Sequence, residues 1–151
     1  MKAAFIILIL LAIAVVVALH FLGKSSRSGA PAGVIDGKLA ICPGTSNCVC
    51  SEYNQGPNYI EPMGYLELAG RDISDIALIV QSMGGTLQEQ TEDYLSSTFE
   101  SSLFGFTDDL EVRIDRQQEM MHFRSSSRVG RNDLGVNRQR VEKLKLLLSD
   151  M

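Results

Sequence analysis

The chain has 151 residues, with 18 acidic against 14 basic side chains and a formal net charge of −4. That balance argues against nucleic acid as a partner, because such domains read strongly basic. Setting aside an apolar N-terminal run and the linker after it, about 110–120 residues remain, enough for one domain with one core and no disulfide lattice.

Residues 3–22 carry no formal charge and are interrupted only by His20. As a helix this run would be about 30 Å long, the thickness of a bilayer's hydrocarbon core. A cleaved signal has a shorter apolar region that ends in a small-residue site. Here the nearest A-x-A, at Ala30 and Ala32, lies well past the apolar end. Residues 1–23 therefore read as an uncleaved anchor. Lys2 stands on one side and Lys24 and Arg27 on the other, so the charge rule for orientation is nearly balanced. A two-residue tail stays inside, which exports the C-terminal domain. The expected placement is a single pass through a bacterial inner membrane, with the domain facing the periplasm.

Residues 24–40 are rich in Ser, Gly, Ala and Pro and read as a flexible linker. The domain is expected over 41–151. Cys42, Cys48 and Cys50 permit three pairings, each with one leftover thiol. A Cys42–Cys48 bridge would close a loop of about seven residues, worth roughly 2–3 kcal/mol. Cys48 with Cys50 would make a tight ring. Three bunched thiols without a Cys-x-x-Cys pair are an incomplete zinc set. Residues 54–65, with two prolines and two tyrosines, read as an irregular surface wrap.

Ile73, Ile76, Ala77 and Val80 form the apolar stripe of a helix over 71–85, with Asp72 as N-cap and Gly84-Gly85 as its stop. Four short strands follow, at 86–91, 94–101, 110–115 and 119–126. In the third, Leu110, Val112 and Ile114 alternate with Glu111, Arg113 and Asp115, which predicts one dry and one wet face. Met121 and Phe123 join the dry side, and His122, Arg124 and Ser126 the wet one. Short connections predict an antiparallel meander. A last helix over 134–148 carries Val141, Leu144, Leu147 and Leu148, with Asn132 or Asp133 as N-cap. The expected fold is α+β: two helices on one face of a four-stranded sheet, the other face in water.

The most unusual stretch is residues 124–140, with five arginines and one acid, following a region 52–115 that holds thirteen acids and two arginines. Internal pairing is the first expectation. Asn137 and Arg140 flank the helix stripe and should face the sheet, with Asp108 and Asp109 as natural partners for a half-buried guanidinium. Arg128, Arg131 and Arg138 are expected to stay freer. With the serines at 125–127 and the helix start near Asp133, they outline a weak anion site. No nucleophile elbow, P-loop, metalloprotease motif or dinucleotide fingerprint is present.

Four motifs in order resemble a known family. They are Cys42-Pro43 with Asn47-Cys48-Val49, Phe106 to Glu111, Arg124 to Gly130, and Asp133 to Val141. The family is the one catalogued as domain of unknown function 1499, and the likeness covers about residues 42–148. The resemblance implies a small envelope-type protein, with relatives in bacteria and plastids, and implies no activity or cofactor. It directs attention to Asp108, Asp109, Arg124, Ser125, Arg128, Asp133, Asn137 and Arg140. A serine is commoner at position 50, so it also implies Cys42–Cys48 as the pair and Cys50 as a free thiol.

The functional expectation is a membrane-anchored, exported binding or structural module, leaning away from catalysis. Its weak ligand set is Arg124, Ser125, Arg128, Arg131 and Arg138. The polar cluster is Asp108, Asp109, Asp133, Asn137 and Arg140. Expected partners are the membrane and either an envelope protein or a small anionic ligand. The alternative is a hydrolase or transferase that uses the Arg/Asp/Ser cluster on an anionic substrate.

Overall fold

The structure is a computed structural model that describes residues 2–54, 56–64 and 72–150. Arg71 of the expected helix, and Gln55 and Tyr65 of the expected wrap, lie outside the described residues. Helix α1, Lys2–Ser26, is the one described helix long and apolar enough to cross a membrane. It runs three residues into the expected linker before it ends.

Helix α2 spans Ile73–Ser82 and begins in a capping box. The Asp72 side chain accepts from the Ser74 and Asp75 amides, and Asp75 Oδ2 accepts in return from the Asp72 amide at 3.0 Å. The C-terminal helix α3, Val136–Ser149, starts differently from expectation. Its N-cap is Gly135, at φ +82° and without a side-chain cap, and Leu134 before it is also left-handed at +56°. Two left-handed residues lengthen the turn, so Asp133 acts from outside the helix. Its carboxylate accepts from the Asn137 amide at 2.7 Å and from the Gly135 amide at 3.0 Å.

The sheet contains the expected meander and more. Strands β5 (Thr86–Gln90), β6 (Tyr94–Glu100), β7 (Thr107–Asp115) and β8 (Met120–Ser127) pair antiparallel in sequence order. Two short strands, β3 (Cys48–Cys50) and β4 (Met63–Gly64), both pair with the free edge of β8 and bring the sheet to six strands. Part of the expected wrap is thus a sheet strand. Strand β7 starts at Thr107 rather than Leu110. Asp108 and Asp109, poor strand formers, are tolerated there because each carboxylate meets an arginine.

One sheet face is dry, as its alternation predicts. Leu95, Leu110, Val112, Ile114, Met121 and Phe123 pack against Ile73, Ile76 and Val80 of α2 and Val141, Leu144 and Leu148 of α3. The opposite face is not in water, and here the expectation needs correcting. Glu111, His122, Arg124 and Ser126 are all buried, Glu111 completely. The residues read as linker cover them, through a small hairpin of β1 (Val34–Ile35) and β2 (Lys38–Leu39). Leu39 is wholly buried and packs with Cys42, Cys48, Cys50 and Tyr94 in a second apolar cluster. A Cys42–Cys48 disulfide staples this strap to β3 and leaves Cys50 as a buried free thiol. The domain therefore has three layers: helices, sheet and strap.

Candidate functional site: the strap-covered polar face

Buried charges are tolerable only when paired and hydrogen-bonded, and the covered face follows that rule. Antiparallel register sets Glu111 opposite Arg124, Arg113 opposite His122 and Asp109 opposite Ser126. Glu111 is the hub. Its Oε2 accepts from Arg124 Nη1 at 2.6 Å, and its Oε1 from the Gly33 amide at 2.6 Å and the Tyr94 hydroxyl at 2.9 Å. One carboxylate thus ties strap to sheet. Burial, with the Glu111 charge beside it, pushes the Tyr94 phenol well above its ordinary range.

At the other end of the face, Arg113 Nε donates to Glu52 Oε1 at 2.6 Å, and that oxygen also accepts from the Leu39 amide at 3.2 Å. Burial alone would lower the Arg113 guanidinium; its bonds to Glu52 and Asp115 outweigh this and raise it. Ser51, Glu52 and His122 superficially suggest a catalytic set. Ser51 Oγ lies 3.2 Å and Glu52 Oε2 3.7 Å from the same ring atom, His122 Nδ1. A base that relays a proton needs the hydroxyl and the acid on opposite ring nitrogens. Here Nε2 is buried without a partner among the described residues, and burial pulls the imidazole below its usual value. The trio is built to hold β3 on β8: Ser51 Oγ also accepts from the Phe123 amide at 2.8 Å.

The expected polar cluster divides between the two faces, because Asp108 and Asp109 are neighbours in a strand. On the helix face, Arg140 Nη2 donates to Asp108 Oδ2 at 2.7 Å, and its Nη1 to Asn137 Oδ1 at 2.6 Å and Ser125 Oγ at 2.9 Å. Its guanidinium also lies 4.6 Å from the centre of the Phe99 ring. Ser125 and Asn137 are buried inside this network, and Asn137 Nδ2 donates to the Asn47 carbonyl at 3.1 Å. On the strap face, Arg128 forks onto Asp109, with Nη2 2.7 Å from Oδ1 and Nε 3.0 Å from Oδ2. Its Nη1 donates to the carbonyls of Ser26 and Arg27, each at 3.3 Å, where α1 ends.

Few of the arginines expected to be free are free. Arg128 is spent on Asp109 and the end of α1, since a buried fork takes the carboxylate within reach. Arg138 Nη2 donates to the carbonyls of Pro57 and Tyr59 at 2.8 and 2.7 Å. Arg131 is exposed. Arg124 differs in kind: it is 6% exposed, and its Nε has no partner among the described residues. It lines a polar cavity of about 250 Å³ with Asp109, Ser126, Ser127 and Arg128, roofed by Gly29, Ala30 and Ala32 of the strap.

Glu111, Glu52 and Asn47 were missed as site residues. Asn47 Nδ2 donates to the Gly130 carbonyl at 3.0 Å, while its own carbonyl accepts from the Ser127 amide at 2.9 Å. A signal for Glu111 was present. Folding the hairpin symmetrically about residues 116–119 sets Glu111 opposite Arg124, an acid facing a base on one sheet face.

Comparison with family models returns a match to the family described as a protein of unknown function, DUF1499, over residues 38–148. The chain belongs to this family. The DUF1499 match starts at Lys38 in β2, so it includes the second half of the strap hairpin together with the whole sheet and both domain helices. Searches of curated proteins and of solved structures find no match.

Proposed function

We propose that this DUF1499 protein is an exported, membrane-tethered binding module without catalytic chemistry of its own. We further propose that the cavity under residues 29–32 receives a small anionic group. The carrying observation is Arg124: a buried residue of the cavity wall whose Nε–H has no acceptor among the described residues. A buried, unsatisfied donor costs about 1–3 kcal/mol, more if charged, and a bound phosphate or carboxylate oxygen would recover it. Asp109 does not repel such a group at full strength, because Arg128 forks onto it. Ser126 adds a hydroxyl, and the small residues at 29, 30 and 32 leave the room. Export is supported by α1 and by the disulfide, which persists in oxidising compartments.

The test is a thermal titration of the full chain in detergent with inorganic phosphate. A ligand that binds only the folded state stabilises it by about 2.7 kcal/mol at a hundred times its dissociation constant. The melting temperature should rise with phosphate in the wild type and not in Arg124→Gln. Equal rises in both, or none in either, would refute the site. A phosphate-ester turnover lost in Arg124→Gln at unchanged melting temperature would favour the hydrolase or transferase reading. A C-terminal reporter active only in the cytoplasm would overturn export.

A further inference from the structure

The second cavity, of about 350 Å³, lies where α1 meets the domain, and its walls are mainly apolar. Leu19 and Leu22 of the helix form one side, with Phe106, Val129 and Val136 opposite. The helix end is fixed in place there. A Cβ at Gly23 would run into the Phe104 carbonyl oxygen, and Ser26 Oγ accepts from the Thr107 amide at 3.0 Å. The loops that supply Ser101 and Asp133 to the cavity also present leucines outward: Leu103 is 78% exposed and Leu134 86%. Leu134 is also held at φ +56°, a conformation costing a non-glycine residue about 1–2 kcal/mol. The left-handed turn serves the Asp133 cap of α3, but exposing a leucine at its tip gains nothing for the folded domain in water.

Position along α1 says what would cover these residues. If α1 spans a bilayer, its apolar run of residues 3–22 fills the hydrocarbon thickness of about 30 Å. Leu19 and Leu22 then occupy the last turn of the run, within about 5 Å of its end. Lys24 and Arg27, both exposed, come next at headgroup level, where cations meet lipid phosphates. The cavity wall is therefore continuous with the lipid-facing surface of the helix, at the acyl–headgroup boundary.

We infer that loop 101–106 and the turn at 132–135 rest on the bilayer surface, and that the apolar cavity between them and α1 takes an acyl chain of a membrane lipid. This rests on α1 crossing the membrane. The occupant enters from the bilayer, because Leu19 and Leu22 belong both to the cavity and to the spanning helix.

The sequence has no tryptophan, so single tryptophans in the full chain report depth. Leu134→Trp and Leu103→Trp are compared with Leu78→Trp, on the exposed side of α2, and Leu11→Trp, in mid-helix. Each is reconstituted in phosphatidylcholine–phosphatidylglycerol vesicles with plain or brominated acyl chains. Emission at 134 and 103 should fall by about half in brominated lipid, as for side chains at the acyl boundary, with position 78 unchanged. Quenching at 11 with none at 134 and 103 overturns the surface contact and leaves the anchor standing. No quenching at 11 overturns the anchor and the inference with it. Native mass spectrometry should show one phospholipid retained by the wild type and lost in Val129→Trp, which fills the cavity. A wild type without lipid, or an adduct that survives Val129→Trp, overturns the acyl-chain site.

Discussion

Replacing Glu111 with alanine removes the acceptor that Arg124, Tyr94 and the Gly33 amide share. Because Glu111 is wholly buried and Arg124 nearly so, the lost partner cannot be replaced by solvent without opening the strap. Breaking a buried ion pair from one side costs about 3–5 kcal/mol. For a domain of this size that lowers the melting temperature by about 15 °C. Glu111→Gln keeps an acceptor for Gly33 and Tyr94 and should lose less. The paired change Glu111→Leu with Arg124→Met removes both charges but still strands the Tyr94 hydroxyl and the Gly33 amide, so it should cost less than Glu111→Ala without returning to wild type. Urea unfolding of the full chain in detergent, monitored by circular dichroism, measures all three. A cost for Glu111→Ala below about 1 kcal/mol, typical of an exposed pair, would refute the claim that this face is buried.

The same geometry has other consequences. Alkylation in denaturant without reductant should label one thiol, Cys50, and three after reduction; two or more before reduction would exclude the Cys42–Cys48 bridge. In the folded protein Cys50 should react slowly, since burial raises its thiol and hides it. Reduction should cost about 2–3 kcal/mol for so short a loop. His122 is depressed below 6.5 by burial, so the unfolded chain takes up its proton first. Stability should therefore be full above about pH 6.5 and fall as the pH drops below it, and His122→Phe should flatten that fall. Asp109→Asn should loosen the Arg128 fork and its hold on the Ser26 and Arg27 carbonyls. Cleavage by trypsin after Arg27 should then quicken several-fold, whereas an unchanged rate would mean the fork does not secure the end of α1.

The sequence carried the apolar architecture clearly, because α2, α3 and strands β7 and β8 each show a clean period against one core. It hid the covering of the second face. Glu111, Arg113, His122 and Arg124 have the alternation of a solvated side, and period-two patterning cannot distinguish water from a buried network of opposite charges. The strap was obscured for a related reason. Its Ser, Gly, Ala and Pro composition matches a tether, and only Leu39 and the stapled Cys42 mark it as packed. Short strands β3 and β4 lack length enough to show any period. The arginines of residues 124–140 announced pairing but not partners, since which acid each one meets depends on register and on the α1–domain junction.

The most direct test of the proposed binding role is the Arg124 Nε–H itself. Arginine Nε–H spectra of the full chain in micelles should contain one side-chain signal, assigned through Arg124→Lys, that lacks a bonded acceptor in the free protein. Adding inorganic phosphate should move that signal downfield and slow its exchange with water, while the Arg128 and Arg140 signals keep their positions. An Arg124 signal that ignores phosphate at concentrations that move the exposed Arg131 signal would contradict the account.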